Sequence, residues 1–565
     1  MKTLTRPFLA VLSGLVLTTA YPRWNVSAMV WLWIFPLLFA LWSPRAEDAQ
    51  KRNRGRRGFV LGYLAGLAFF MTNLSWVRHS SRVIAGAQGA EWMGWGPELL
   101  GLGAVLGLSV YLALYWGLWA AFAATIGRPR LGDSSDGALF SSSLESLRSA
   151  FLCAAAWVAT EWLRGTVFTG FNWNGLGAAM HQSTLLIQGA DVVGVTGLAF
   201  LPVFFACIGY NTVLRFRQEV RTSRVRPHAD FWCAAVLLVV TVGYGAARLV
   251  KKPGESIPLR VLLVQPNVPQ AQRWEASGTP ELMEQIYHGL GRLTQIGVAS
   301  AKPDLVIWPE SAIPAPFHDP NHIPFLDDLL KLDDFTLLSG ADILVPGEPF
   351  ATGAALMRGS FENHQLYRKV HLVPFGEYLP LRDVPGVQSL LGDVIPGDFT
   401  PGTSTEPFTL EKPAGVQLIP LVCFEDTDGR LARKFVRDAP QLLVNLTNDG
   451  WFLHSNENEV HLANAIFRCV ELRRPMVRSC NTGVTCYVDS LGRIARGDTL
   501  DDPKTGSVFV KGVLPKEVAV PKHPERTFYA QYGDVFSHTM LALSGLAVLG
   551  AWLRSRATSP APSGS

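Results

Sequence analysis

Three residues of unlike chemistry stand out by their settings: Glu310, Lys369 and Cys423. Glu310 closes the run Leu305-Val306-Ile307-Trp308-Pro309-Glu310, and Cys423 closes Leu418-Ile419-Pro420-Leu421-Val422-Cys423. Lys369 sits in Tyr367-Arg368-Lys369-Val370-His371-Leu372. A carboxylate, an ammonium and a thiol can together run acyl transfer through a thioester. The carboxylate takes the thiol proton, the thiolate attacks a carbonyl, and the ammonium steadies the oxyanion. Singly, each is ordinary: a Glu after Trp-Pro caps a loop, a Lys beside an Arg is a solvated charge, and a Cys at a strand end is buried and inert. Two of the three end β-like runs, however, and ligands of open α/β sheets gather at the carboxyl ends of strands.

The elements that must position them read as alternating strands and helices. Short β-rich runs occur at 259–265, 305–308, 336–338, 416–422, 441–446 and 484–489. Helix-like stretches at 279–298, 430–437 and 457–474 lie between them. Such alternation predicts an α/β arrangement over residues 255–535.

The rest of the chain is different in kind. Only 17% of its 565 residues are charged, and mean hydropathy is +0.19. A soluble protein of this length carries about a quarter charged residues. Seven apolar segments precede residue 250, at about 6–21, 27–43, 59–77, 99–126, 149–166, 192–214 and 231–249, and an eighth lies at about 537–553. Crossing a bilayer takes about 20 apolar residues. The expectation is a polytopic α-helical membrane domain of about eight spans. Residues 1–250 hold seven of them, 537–556 form a C-terminal transmembrane helix, and 557–565 form a disordered tail. The first segment also fits a cleaved signal peptide, with Lys2 and Arg6 ahead of a modest apolar core.

Loops 44–58, 127–148 and 215–230 are rich in Lys and Arg, and the alternate loops are poorer. The positive-inside rule makes the rich loops cytoplasmic and puts residues 250–536 on the opposite face. Arg248, Lys251 and Lys252 run against that assignment. The net charge of +4 and the lack of a basic stripe give no sign of a nucleic-acid partner. The seven cysteines form no CxxC and no Cys/His ligand spacing, and there is no HExxH, so no metal is expected.

Further motifs follow the trio. They are Val264-Gln265-Pro266-Asn267-Val268-Pro269-Gln270 with Trp274, Trp308-Pro309-Glu310-Ser311, His371-Leu372-Val373-Pro374-Phe375-Gly376-Glu377-Tyr378, and Cys423-Phe424-Glu425. Thr447-Asn448-Asp449-Gly450-Trp451-Phe452, Glu471-Leu472-Arg473-Arg474-Pro475 and Arg478-Ser479-Cys480-Asn481-Thr482-Gly483 come after them. With these stretches the chain resembles the nitrilase superfamily and, more narrowly, its membrane-embedded branch, the apolipoprotein N-acyltransferase family. The resemblance covers nearly the whole chain. It implies an α-β-β-α sandwich for the catalytic domain, with Glu310 as general base, Lys369 as oxyanion stabiliser and Cys423 as nucleophile. It makes Glu377 an active-site carboxylate orienting Lys369 or the amine, with Glu425, Trp274, Phe424 and Tyr378 supporting the site or substrate. Phe424 stands where the family often has Tyr, and Thr447 where Ser is frequent; neither touches the trio.

The resemblance further implies transfer of a fatty acyl chain from a phospholipid, phosphatidylethanolamine, to the N-terminal diacylglyceryl-cysteine amine of lipoproteins. The setting is the bacterial cytoplasmic (inner) membrane, with the catalytic domain periplasmic, the protein monomeric and no cofactor. A membrane-tethered amidase acting on a small amide would use the same trio. A transporter would draw on Glu161, Arg164 and Asp191, which lie near span ends. The apolar loop 381–402 is either packed on the domain or a lid that dips toward the bilayer.

Overall fold

The computed structural model describes residues 5–43, 51–87, 95–130, 139–222, 228–344, 350–380, 382, 384–385, 399–452 and 454–557. Residues 386–398, most of the loop considered as a lid, lie outside the described residues. The chain forms two compact units. One comprises Met1–Ser75, Leu102–Arg248 and Asp534–Ser565, and the other Trp76–Gly101 and Leu249–Gly533. Residues 76–101 thus belong with the α/β unit and not with the helices on either side of them in sequence.

Each of the eight apolar segments is predominantly helical. Among the described residues three helices are long and apolar enough to cross a membrane: Gly96–Thr125, Ala229–Val250 and Val535–Ala557. The count reaches five if two bent pairs, Asn53–Asn73 with Ser75–Val83 and Ala190–Leu198 with Phe200–Arg217, are each one span. Three expected spans fall short among the described residues: helix Leu139–Arg164, which carries Glu145, Arg148, Glu161 and Arg164, and two that are short or broken. Thr5–Thr18 has only 14 residues, and the next helix breaks at Trp33 into Met29–Leu32 and Ile34–Trp42. The core of this unit is aromatic: Trp157 packs at 4.9–5.1 Å, ring centre to ring centre, against Trp33, Trp116 and Trp119. Glu161 accepts the Leu176 N–H at 2.8 Å, and Arg164 donates to the carbonyls of Phe171 and Trp173 at 2.7 and 2.8 Å. These buried charges satisfy irregular backbone among apolar helices; that role leaves them tied to the loop and does not outline a transport path.

The second unit holds two sheets. The first has the order β11-β1-β2-β3-β4-β5, from Gly512–Pro521 (β11), Ser256–Gln265 (β1), Leu305–Ile307 (β2), Thr336–Ile343 (β3), Ala351–Arg358 (β4) and Ser360–Arg368 (β5). The second has the order β10-β9-β8-β7-β6, from Cys486–Val488 (β10), Met476–Cys480 (β9), Gln441–Thr447 (β8), Gln417–Val422 (β7) and Phe408–Thr409 (β6). Strands β1, β2 and β3 run parallel, as do β7, β8 and β9. Ser479 of β9 donates to the carbonyls of Val264 in β1 and Ile307 in β2 at 3.1 and 3.2 Å, so the sheets meet face to face.

Helix Pro280–Ala301 packs on the first sheet, its Ile286, Leu290 and Val298 buried with Leu262, Val264 and Trp308. Helix Glu457–Leu472 packs beside the turn Cys423–Thr427 and the short helix Gly429–Ala432. Helix Arg78–Ala87 lies against helix Gln270–Ala276 and the turn Asp449–Phe452, with Trp76 and Phe452 edge to face at 4.6 Å.

Candidate active site

The three chemically distinct residues each follow directly from a strand. Glu310 lies three residues beyond β2, in the middle of the first sheet. Lys369 follows β5, whose strand character sequence reading missed. Cys423 follows β7 and opens a 3₁₀ turn, Cys423–Thr427. Gly340 of β3 lets the Glu310 segment come close: a Cβ there would lie 2.4 Å from the Pro309 carbonyl oxygen and 2.5 Å from Glu310 Cα. Three of the segments hold a non-glycine residue in the left-handed region, Ser311 (φ 44°), Phe375 (φ 61°) and Cys423 (φ 52°). Such backbone costs of order 1–3 kcal/mol per residue and gathers at functional sites.

Lys369 is fully buried. Its Nζ donates to Glu377 Oε1 at 2.6 Å and lies 3.7 Å from Glu310 Oε1. The second oxygen of Glu377 accepts the Val373 N–H at 2.8 Å, so the turn that carries Glu377 also fixes it. The Tyr378 carbonyl closes that turn by accepting the Phe375 N–H at 2.9 Å. Burial pushes the Glu310 carboxyl up to about 7; Lys369 opposes this, and Glu377 and Asp342 reinforce it. Burial alone would lower Lys369, but Glu377 and Glu310 outweigh it and hold the ammonium above its usual value. The surrounding protein raises the Cys423 thiol well above its ordinary value, Glu310 adds to that, and Lys369 works against it. At rest the set is therefore a thiol, an ammonium and a carboxyl that titrates near neutrality.

Glu425 is fully buried and has a different task. Its carboxylate accepts the N–H groups of Val370, His371 and Val422 at 2.7, 3.0 and 2.8 Å, and the Tyr367 hydroxyl at 2.8 Å. It thereby ties the Lys369 segment to the strand that delivers Cys423. Phe424 stacks on His371 with ring centres 5.5 Å apart. Trp274 meets Trp451 edge to face at 4.9 Å. Asn448 is buried and donates to Gln270 Oε1 at 2.7 Å, four residues before Trp274.

Sequence reading also missed a charged cluster on the far side of the Cys423 turn. Asp426 accepts from Arg478 Nη1 at 2.6 Å and from His461 Nε2 at 2.9 Å, and His461 Nδ1 lies 3.1 Å from Asp449 Oδ1. Asp449, Glu457 and His461 bring ligand atoms close enough together for a metal ion. Burial and Arg478 would lower the His461 pKa, but Asp426 and Asp449 raise it to about 10. Arg478 already supplies positive charge to Asp449 at 3.2 Å. The cluster is an ion-pair network. Its members are hard to foresee because they come from four separate elements. The only hint lies in the unusual density of Asn, Asp, His and Arg in strands and helices that are otherwise apolar.

The comparisons agree in both halves of the chain. Residues 13–208 match the family model described as apolipoprotein N-acyltransferase N-terminal domain, and residues 260–505 match carbon-nitrogen hydrolase. The chain is 32% identical over 549 residues to the apolipoprotein N-acyltransferase of Geobacter metallireducens, covering 96% of this chain and 94% of the relative. It is 30% identical to that of Rhodopseudomonas palustris, covering 96% and 95%, and 28% identical to that of Rickettsia typhi, covering 93% of each. With α/β architecture in one half, apolar helices in the other and relatives alike from end to end, the chain belongs to the apolipoprotein N-acyltransferase family.

Proposed function

We propose that the protein transfers a fatty acyl chain from a phospholipid to the N-terminal amine of diacylglyceryl-modified lipoproteins, through a thioester on Cys423. The observation that carries this reading is the buried Lys369 ammonium, 3.7 Å from Glu310 and 2.6 Å from Glu377, whose charge also acts on the Cys423 thiol.

In the first half-reaction Glu310 accepts the Cys423 proton as sulfur attacks the ester carbonyl of the donor. Lys369 stabilises the oxyanion. The intermediate collapses, the C–O bond breaks, and the lysophospholipid alkoxide leaves with the proton returned by Glu310. In the second half-reaction a neutral α-amine attacks the thioester, Glu310 takes its proton, the C–S bond breaks to leave an amide, and Glu310 returns that proton to the sulfur as the free thiol. A base titrating near 7 suits both directions, because it must hold and release a proton at ordinary pH. The chain's own groups supply every proton transfer, so no cofactor is invoked. Glu377 keeps Lys369 oriented, and Trp274, Phe424 and Tyr378 border the substrate. Phosphatidylethanolamine is the donor the family resemblance favours.

The setting proposed is the bacterial inner membrane. Eight spans cover 1–250 and 537–556, the catalytic domain 255–535 is periplasmic, and the protein acts as a monomer. The distribution of Arg and Lys among the loops supports this orientation. A reporter fused after Lys252 should be active only outside the cytoplasm.

The deciding experiment incubates the purified full chain with acyl-labelled phosphatidylethanolamine and applies mass spectrometry to the peptide containing Cys423. Acylation of Cys423 that discharges onto a diacylglyceryl-cysteine peptide, and vanishes in Cys423→Ala, is the expected result. Release of ammonia from small amides without acylation by lipid would point instead to an amidase.

A further inference from the structure

The acyl-transfer reading uses Glu310, Lys369 and Cys423 and leaves the polar cluster behind the Cys423 turn without a task. Its central member is Asn445, fully buried in β8, opposite Leu421 of β7 on one side and Arg478 of β9 on the other. Asn445 Nδ2 donates to the carbonyls of Leu421 and Cys423, at 3.1 and 3.2 Å. Its Oδ1 accepts from Arg478 Nη1 at 2.8 Å. The same Nη1 donates to Asp426 Oδ2 at 2.6 Å, and Asp426 stands three residues after Cys423 in the same 3₁₀ turn.

The bonds therefore close a ring. They run from the Cys423 carbonyl to Asn445, to Arg478, to Asp426, and back along the chain to Cys423. His461 braces it from outside, 2.9 Å from Asp426. Cys423 needs such a restraint, because its left-handed backbone (φ 52°) is unfavourable for a residue with a Cβ. Fixing a carbonyl in space fixes the rigid peptide plane that carries it, and with it the direction in which Cα projects the side chain. Asn suits the position by chemistry. It donates to the turn with one atom and accepts from the guanidinium with the other, which neither a carboxylate nor a hydrocarbon of the same size can do.

We propose that Asn445 is a positioning residue for the nucleophile, its Nδ2 holding the Cys423 carbonyl and its Oδ1 anchored on Arg478, so that the Asn445–Arg478–Asp426 ring keeps Cys423 left-handed and aims its sulfur at the acyl carbonyl. The proposal rests on the reading of Cys423 as the nucleophile.

The test uses the full-length protein in detergent with acyl-labelled phosphatidylethanolamine. Wild type, Asn445→Asp and Asn445→Ser are compared for the rate of Cys423 acylation, the KM for phospholipid, the rate of Cys423 alkylation by iodoacetamide, and the unfolding midpoint. A misplacement of about 1 Å costs about 100-fold in rate. Acylation should accordingly slow by about 10- to 100-fold in both variants, with KM within about twofold of wild type and no matching fall in unfolding midpoint. A folded Asn445→Ser that acylates at the wild-type rate overturns the proposal. So does an Asn445→Ser that fails to fold, which would assign Asn445 to stability alone. If wild-type Cys423 takes no acyl group, the function proposed above fails on its own account, and the alkylation rates still report whether Asn445 governs the sulfur.

Discussion

The ammonium of Lys369 sits 1.1 Å nearer to Glu377 than to Glu310, at 2.6 against 3.7 Å. The nearer carboxylate answers most of the positive charge. The farther one stays free to titrate, and burial then raises it to about 7.

Exchanging Glu377 for Gln should undo this division. Glu310 loses a neighbour that raises its pKa and gains the undivided attention of Lys369, which lowers it. The acid limb of the acylation profile should move to lower pH in Glu377→Gln, while the rate on the plateau falls because a weaker base faces the same thiol. An acid limb at the wild-type position would show that Glu377 does not tune Glu310.

On the proposed mechanism, Glu310 in the wild type must be ionised to accept the thiol proton. Cys423 acylation should therefore rise with pH through about 7 and level off above it, the direction required of a base whose protonated form is inert. Glu310→Gln should lose about 100- to 10,000-fold and the acid limb together. Pre-steady-state acylation between pH 5 and 9 reads both.

Glu425 should report on stability more than on chemistry. In Glu425→Ala the N–H groups of Val370, His371 and Val422 and the Tyr367 hydroxyl lose their acceptor inside the protein. Each stranded donor costs about 1–3 kcal/mol, without strict additivity. Tyr367→Phe removes one bond and leaves three, at about 1 kcal/mol. Thermal unfolding in detergent should rank Glu425→Ala far below Tyr367→Phe, and equal losses would contradict this account.

Gly340→Ala places a methyl group 2.5 Å from Glu310 Cα, too close for any real contact. Either β3 or the Glu310 segment must shift, at about 1–3 kcal/mol. Acylation should fall by at least about 10-fold from the displaced base.

The sequence made the strand ends at Glu310 and Cys423 legible because β2 and β7 are continuous apolar runs buried inside mixed sheets. Strands β4, β5, β6, β9 and β11 escaped notice, β4, β5 and β11 for physical reasons. β4 is built largely from Ala and Gly, which have weak strand preference. β5 and β11 are the edges of their sheet and carry polar residues on an exposed face. The helix expected at 430–437 breaks into Gly429–Ala432 and a 3₁₀ turn, Arg433–Phe435. Glu377 and Glu425 were legible as site carboxylates only through their motifs. That Glu425 binds the backbone of Val370 and His371 depends on contacts far apart in sequence, as does the ring around Asn445, whereas Glu377 lies only eight residues from the Lys369 it holds. The apolar segments were found as helices, but a window of residues cannot tell a straight span from one that bends, as at Ala190–Leu198 and Phe200–Arg217.

Ser479 gives the two sheets a common origin. Its hydroxyl reaches from β9 to the carbonyls of Val264 and Ile307, and Ile307 ends the strand that leads to Glu310. Glu310 and the Cys423 sulfur are thus carried on different plates, and their spacing is a matter of how far one plate may slide over the other. The Ser479 hydroxyl is one dowel between them, and Glu425 is another.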